Sequence, residues 1–216
     1  MADLSWTTGW DCVLAYEDQL LSNSYTITIH FDITTDNVEE QTIAFDRIKY
    51  FIDKVLTDSI FTCIDDEKNM FYHKNFKQKL VTFPVPPQDM SVVSALFAKF
   101  NAITAGRLNL EKIDLHSTQG GNIVLHFDID FAQESSMLKN HEFIEASGKT
   151  VWWFRDDIGS ADFFNLNEDS KDITMIIDVT DWEGTDLEWP DPKDKKLKKD
   201  ASNWNPTIIP GGKTHH

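Results

Sequence analysis

The strongest constraint in this sequence is a two-residue rhythm that occurs twice. Over residues 25 to 34, Tyr25, Ile27, Ile29, Phe31 and Ile33 share one parity, and Thr26, Thr28, His30, Asp32 and Thr34 share the other. Over residues 123 to 131, Ile123, Leu125, Phe127, Ile129 and Phe131 alternate with Val124, His126, Asp128 and Asp130. Successive strand side chains point to opposite faces, so each stretch predicts a half-buried strand. Both contain the tetrapeptide HFDI. Phe and Ile go to the core while His and Asp go to the open face, so the repeat is in part a consequence of register.

Elsewhere the period becomes helical. Ile48, Phe51, Ile52, Val55 and Leu56 make one apolar stripe, which predicts a helix from about Ile43 to Leu56, ended by Asp58 and Ser59. Val93, Leu96, Phe97, Phe100 and Ile103 make a second stripe, preceded by Pro84, Pro86 and Pro87 and followed by Gly106 as a C-cap. WDCVLAYE (10–17) and LEKIDLHS (110–117) read as strands, LLSNS as a turn, and Gly120-Gly121 as a hairpin turn. Residues 60 to 80 match no period.

The expected order over residues 1 to 131 is therefore ββααββ. It is an α+β class with an antiparallel sheet and two helices on one face. Residues 132 to 182 read as an extension with two more strands, at 149–157 and 172–182. Residues 183 to 216 read as an extended or partly disordered arm, rich in Pro, Lys and Asp, that packs through Trp189 and Trp204.

Charge narrows the partners. With 36 acidic against 20 basic residues the chain carries -16, which repels nucleic-acid phosphates and anionic membranes. The one basic run, PKDKKLKKD, is short and interrupted by acids. No apolar stretch approaches the ~20 residues that span a bilayer. Cys12 and Cys63 form no CxxC pair, and the first residues lack the basic start and apolar segment of a secretory leader, so a reducing, cytoplasmic setting is expected.

The order ββααββ is that of the tunnelling fold. The residues resemble one branch of it, the 6-pyruvoyl-tetrahydropterin and 6-carboxy-tetrahydropterin synthase family. SNSYTITIHF occupies the place of the family's HGHNY segment. AFDRIKYFIDKVLTDS looks like its D-F-x-x-L-K helix with the LDH end. PPQDMSVVSALF is similar to its proline-led helix, and LEKIDLHST looks like its strand ending in Glu-Thr. On this resemblance Ser22 and Ser24 stand where the family has two zinc histidines, and Tyr16 or Glu17 stands near the third. Ser59 replaces the histidine of LDH while Asp58 keeps the aspartate, and His116 replaces the substrate-anchoring glutamate. Serine does not substitute for imidazole as a zinc ligand. The resemblance thus implies a subunit without the family's metal and acid-base groups, requiring no cofactor. It also implies a homo-oligomer joined through sheet edges.

Other chemistry is thin. His30, His126, Asp32 and Asp128 could in principle supply a 2-His-1-carboxylate set. That requires neighbouring strands, and the derived order separates the second strand from the last, so no metal is expected there. Asp58 and His116 are candidate catalytic groups, with His73 in the unassigned stretch. No GxSxG or phosphate loop is present. Trp152 and Trp153 are adjacent, so on a strand they would face opposite ways and one would need covering by the arm or by a partner. Together with Trp189 and Trp204 they are the interface candidates. The expected role is a non-catalytic, homo-oligomeric assembly or binding protein on a degenerate tunnelling fold, with a protein partner possible through the arm. The alternatives are a pterin- or purine-related enzyme with a relocated site, and a structural component of a larger particle such as a virus.

Overall fold

In a computed structural model of the chain, residues 4–34, 36–76, 78–121, 123–139 and 150–161 are described. All belong to one compact unit, Met1–Asp181. The expected strand at 172–182, the arm at 183–216, Trp189 and Trp204 lie outside the described residues.

Two long strands form the centre, β1 (Leu4–Tyr16) and β2 (Gln19–Ile33), paired antiparallel along their whole length. The turn between them is Glu17-Asp18, both at positive φ (46° and 65°), the backbone that matches a tight hairpin to strand twist. LLSNS is therefore part of β2 and not a turn, and β1 starts six residues before the expected Trp10. Tyr25, Ile27, Ile29 and Phe31 are buried as their parity requires.

Helix α1 (Val38–Phe51) starts at Asn37, whose side chain caps Glu39 N, and runs into a π-helical turn, Ile52–Leu56. The wider turn keeps Ile52, Val55 and Leu56 on the buried side. Asp58 then takes a left-handed φ of 57° and leads into β3 (Ser59–Cys63). The stretch that defied assignment holds β3, α2 (Asn69–Phe76) and β4 (Leu80–Phe83). Both short strands are buried on both faces, so they show no alternation.

Helix α3 (Asp89–Thr104) ends in Ala105 and Gly106, both left-handed. It is buried nearly all round. Strands β5 (Leu108–Ser117) and β6 (Val124–Asp128) follow, then two short helices, α4 (Ile129–Glu134) and α5 (Ser136–Lys139). Strand β6 is shorter than the alternation predicts. The Asp128 carboxylate accepts from the backbone N–H groups of Asp130 and Phe131 and starts α4, so Ile129 and Phe131 leave the sheet and are exposed.

The six strands run in the order β4-β3-β1-β2-β5-β6. The expected antiparallel set is the β1-β2-β5-β6 part, with α1 and α3 on one face, and the α+β class stands. The sheet as a whole is mixed, because β3 and β4 add in parallel beside β1. Helix α2 covers the second face at that end, where Tyr72 packs on Ala15, Ile60 and Leu80.

Residues 149–157 were expected as a strand. The described part of that segment is a single 3-10 turn, Trp152–Phe154, flanked by extended residues. Trp152 and Trp153 are both fully buried in the same core as the sheet and helices. Trp152 stacks on Phe51 and meets Phe83 edge-on. Its covering thus comes from within the chain, and Phe154 is the aromatic that faces out. A turn with three residues per repeat lets adjacent rings enter one core, which a strand forbids.

Two contacts fasten this segment. Lys99, fully buried on α3, donates to the carbonyls of Trp152 (3.1 Å), Arg155 (3.0 Å) and Asp157 (2.6 Å). On the edge of the sheet, Thr82 N donates to Ala161 O at 2.9 Å, and Trp152 Nε1 donates to Thr82 O at 2.7 Å. Both backbone groups of Thr82, on the outer edge of β4, are thereby occupied.

Candidate functional site

The second face of the sheet is open over β1, β2, β5 and β6, and its parity selects polar side chains. A β-bulge sets which ones. Between His30↔Lys112 and Phe31↔Leu110 the register shifts, leaving Glu111 as the extra residue. Leu110 and Ile113, three apart, then both face the core, and Lys112, Asp114 and His116 face the open side.

Asp114 is the centre of the polar row. Its Oδ2 lies 3.0 Å from His30 Nε2, and its Oδ1 lies 2.6 Å from His126 Nδ1 and 2.9 Å from Lys112 Nζ. One carboxylate on β5 thus bridges a histidine of β2 and a histidine of β6. Partial burial works to raise the carboxyl pKa, but the hydrogen bonds from His126, Lys112 and His30 outweigh it and hold the group below its ordinary value. Each imidazole that donates to Asp114 leaves its second ring nitrogen free of that bond, the arrangement by which a carboxylate orients a general base or a metal ligand. The strands of His30 and His126 are separated by β5, as the sequence led one to expect. Asp114 was missed because its strand breaks parity at the bulge. Its position between Ile113 and Leu115 was the available signal.

The other candidates disperse. Asp128 is engaged as the cap of α4, and Asp32 lies opposite Asn109 at the far end of β2. Asp58 sits before β3, its N–H donating to Asp11 O at 2.9 Å. His116 lies on β5 opposite Thr26, with β1 and β2 between it and β3. The two are not brought together. His73 lies on α2.

The positions matched to zinc ligands have hydrogen-bonding roles. Ser24 Oγ donates to Asp11 Oδ1 at 2.5 Å, Ser24 N donates to Thr118 Oγ1, and Gln119 Nε2 donates to Ser22 O. Asn23 Oδ1 accepts from Thr118 Oγ1 (2.7 Å) and from Gln119 N (3.0 Å). On the core side, Ser117 Oγ donates to Asp89 Oδ2 at 2.8 Å and accepts from Gly120 N. The start of β2, the β5–β6 turn and the first residue of α3 are thus tied in one knot. Tyr25 is buried beside Asp89, and burial first, then the Asp89 charge, pushes its phenol pKa up. Burial likewise pushes the Cys12 thiol up to about 12 with help from Asp11, so it stays protonated and is no nucleophile. Cys63 is only half-buried and unpaired.

An apolar groove of about 540 Å³ lies between the proline loop before α3 and the α4–α5 pair, lined by Val85, Met90, Phe127, Phe131 and Met137 among others. Among the described residues no group of three or more His, Cys, Asp or Glu side chains is arranged to hold a metal ion, and no helix is long and apolar enough to cross a membrane.

These features define an α+β protein with a polar open sheet face. No family model and no curated protein matches the chain. Among solved structures, a catalytic-residue mutant of 6-pyruvoyltetrahydropterin synthase from Plasmodium vivax is similar over 59% of this chain and 98% of its own. The identity is 9% and the TM-score is 0.35. At that level the fold description rests on the strands and helices themselves.

Proposed function

We propose that this chain is a non-catalytic assembly or binding protein that works as a homo-oligomer. The observation that carries the reading is the knot at Ser22, Asn23 and Ser24. Ser22 and Ser24, the positions matched to two of the zinc histidines, carry short neutral side chains; the Ser24 hydroxyl is bonded to Asp11, and Ser22 takes part through its backbone carbonyl. A serine hydroxyl bonded to a neighbouring carboxylate does not replace a zinc-binding imidazole. The protein's own sheet supplies a surface for association, because a strand edge with unpaired N–H and C=O groups recruits another strand.

The second reading is an enzyme on a pterin- or purine-like substrate with a relocated site. The His30–Asp114–His126 row favours it, since two carboxylate-oriented imidazoles on an open face can accept and return protons. One pair of measurements separates the two readings. Under the assembly reading, the purified chain is expected to carry no stoichiometric zinc, iron or manganese and to sediment as an oligomer. A stoichiometric metal that is lost on changing His30 and His126 to Ala would replace that reading with the enzyme.

A further inference from the structure

We infer that copies of this chain join head to tail, with α2 of one copy seated in the apolar groove beside α4 of the next. This rests on the assembly reading above and places the joint in side chains. Strand pairing beyond β4 is blocked at Thr82, whose N–H and C=O are taken by Ala161 and by the Trp152 indole. What that end of the molecule offers a neighbour is α2, which lies over β3 and β4 on the second face.

Helix α2 is a ridge fixed to its own chain. Tyr72 packs on Ala15, Ile60 and Leu80. The Asn69 side chain accepts from Thr62 Oγ1 at 2.9 Å and donates to Cys63 O at 2.9 Å. The other side of the helix carries Met70, Phe71 and Phe76, which are 49%, 55% and 42% exposed. Phe71 meets Phe76 edge-on, with 5.8 Å between ring centroids. Three large apolar side chains held outward on eight residues make an interface patch. Their helix is already ordered by folding, so docking costs little further entropy.

The groove is the counterpart. The proline loop and the first turns of α3 form one wall, and α4 and α5 form the other. Its volume of about 540 Å³ lies within the ~300–1,000 Å³ of clefts that enclose apolar groups. Val85, Met90 and Phe131 on its walls are themselves 42%, 46% and 49% exposed. Met90 and Met137 line it from the two sides, and unbranched thioethers repack around an inserted ring. A helix that lays its apolar face into such a groove is a recurring mode of recognition.

Charge selects the occupant. Two copies of a chain carrying -16 repel each other at a distance. The segments that wall the groove, 85–94 and 127–137, contain Asp89, Asp128, Asp130 and Glu134 and no Lys or Arg. Asp130 and Glu134 are exposed. Helix α2 carries His73 and Lys74 and no acid. The joint therefore sets an acid-free helix against acidic walls, the complementarity that steers an encounter and fixes its orientation. Ridge and groove lie at opposite ends of the strand order, beside β4 and beside β6. One copy can use both at once, and the contact repeats from copy to copy.

The test is sedimentation and native mass spectrometry of the full chain across concentration, with two variants. Phe71→Asp puts an acid on the ridge that faces an acidic groove. Met90→Lys puts a cation in the groove that faces a cationic helix. The wild type should assemble beyond a dimer, and each variant alone should raise the dissociation constant by about 30-fold or more. Mixed in equal amounts, the two variants should form a heterodimer and nothing larger, because one intact ridge meets one intact groove. Circular dichroism checks that each variant folds. A wild type that stops at a dimer, an oligomer that neither variant weakens, or a mixture without heterodimer would overturn this joint and leave the assembly reading standing. A wild type that is monomeric at every concentration would remove the joint and the assembly reading together.

Discussion

Lys99 shows how one residue couples two parts of this molecule. Its ammonium is fully buried, close to the Phe51 ring (5.3 Å to the centroid) and held by three backbone carbonyls. Burial lowers its pKa to about 8 against the pull of Asp157. The Asp157 carboxyl, which burial would raise, is held below its ordinary value by Lys99 and by hydrogen bonds from Ser160 and Gly159. For a lysine lowered on folding, the unfolded chain binds the extra proton between the two pKa values, so stability rises with pH in that window. The unfolding free energy of wild type relative to Lys99→Met should therefore increase between pH ~8 and pH ~10.5 by on the order of 3 kcal/mol. Denaturant titrations at several pH values check it, and a flat or falling difference would contradict it. Asp114 gives a slope of the same sign in acid, where its charged form is the favoured one. Its depressed pKa contributes stability that is complete above pH ~4 and is lost as pH falls through the lowered value. The penalty of Asp114→Asn should thus be full at pH 6 and fade in strong acid.

At the scale of the element, the β5–β6 turn is held by contact as much as by its own conformation. A Cβ on Gly120 would lie 2.4 Å from Asp89 Oδ2 and 2.8 Å from Ser117 Oγ. Gly120→Ala must break the bond between those side chains or shift the turn, and should cost about 1–3 kcal/mol. Gly121→Ala meets no neighbour but sits at φ 67°, so its cost should come from backbone strain, about 1 kcal/mol. Thermal unfolding of the two variants side by side compares the mechanisms. The two helices contribute one core. Phe51 packs on Phe100 and Trp152, and Phe97 on Phe127. Truncation of either to Ala should cost about 3–5 kcal/mol, and losses below ~1 kcal/mol would mean that these rings do not hold the layers together.

Across the whole molecule, Val151, Trp152, Trp153, Ile158 and Ala161 complete the core begun by the first 131 residues. The sequence boundary expected at 131 does not divide that core. A chain ending at 131 should accordingly fail to fold cooperatively, because Phe51, Phe83 and Lys99 would lose their cover. A chain ending at 182 should keep a thermal midpoint within a few degrees of the full chain. Calorimetry of the two truncations gives the comparison, and a cooperative transition in the shorter one would contradict this account.

The sequence by itself determined the elements that are half-buried. Wherever one face meets the core and the other meets water, hydrophobicity follows the backbone period, and so β2, α1 and much of β5 are legible, along with the open-face positions of His30 and His126; α3 is buried nearly all round, and its larger apolar side chains alone keep the helical spacing. Four other features were decided only in three dimensions. Strands β3 and β4 are buried on both faces, which erases alternation. The bulge at Glu111 changes parity within a strand, and that brings Asp114 between two histidines distant in sequence. Asp128 ends β6 by capping α4, a choice that depends on what the following residues can pack against. Residues 149 to 157 look like a strand locally, but the described residues from 150 on turn inward, because a buried lysine and an unpaired strand edge offer their backbone better hydrogen-bond partners than a neighbouring strand would. Local pattern reports which side of an element is wet, whereas the partners of buried polar groups are fixed by residues that are far away along the chain.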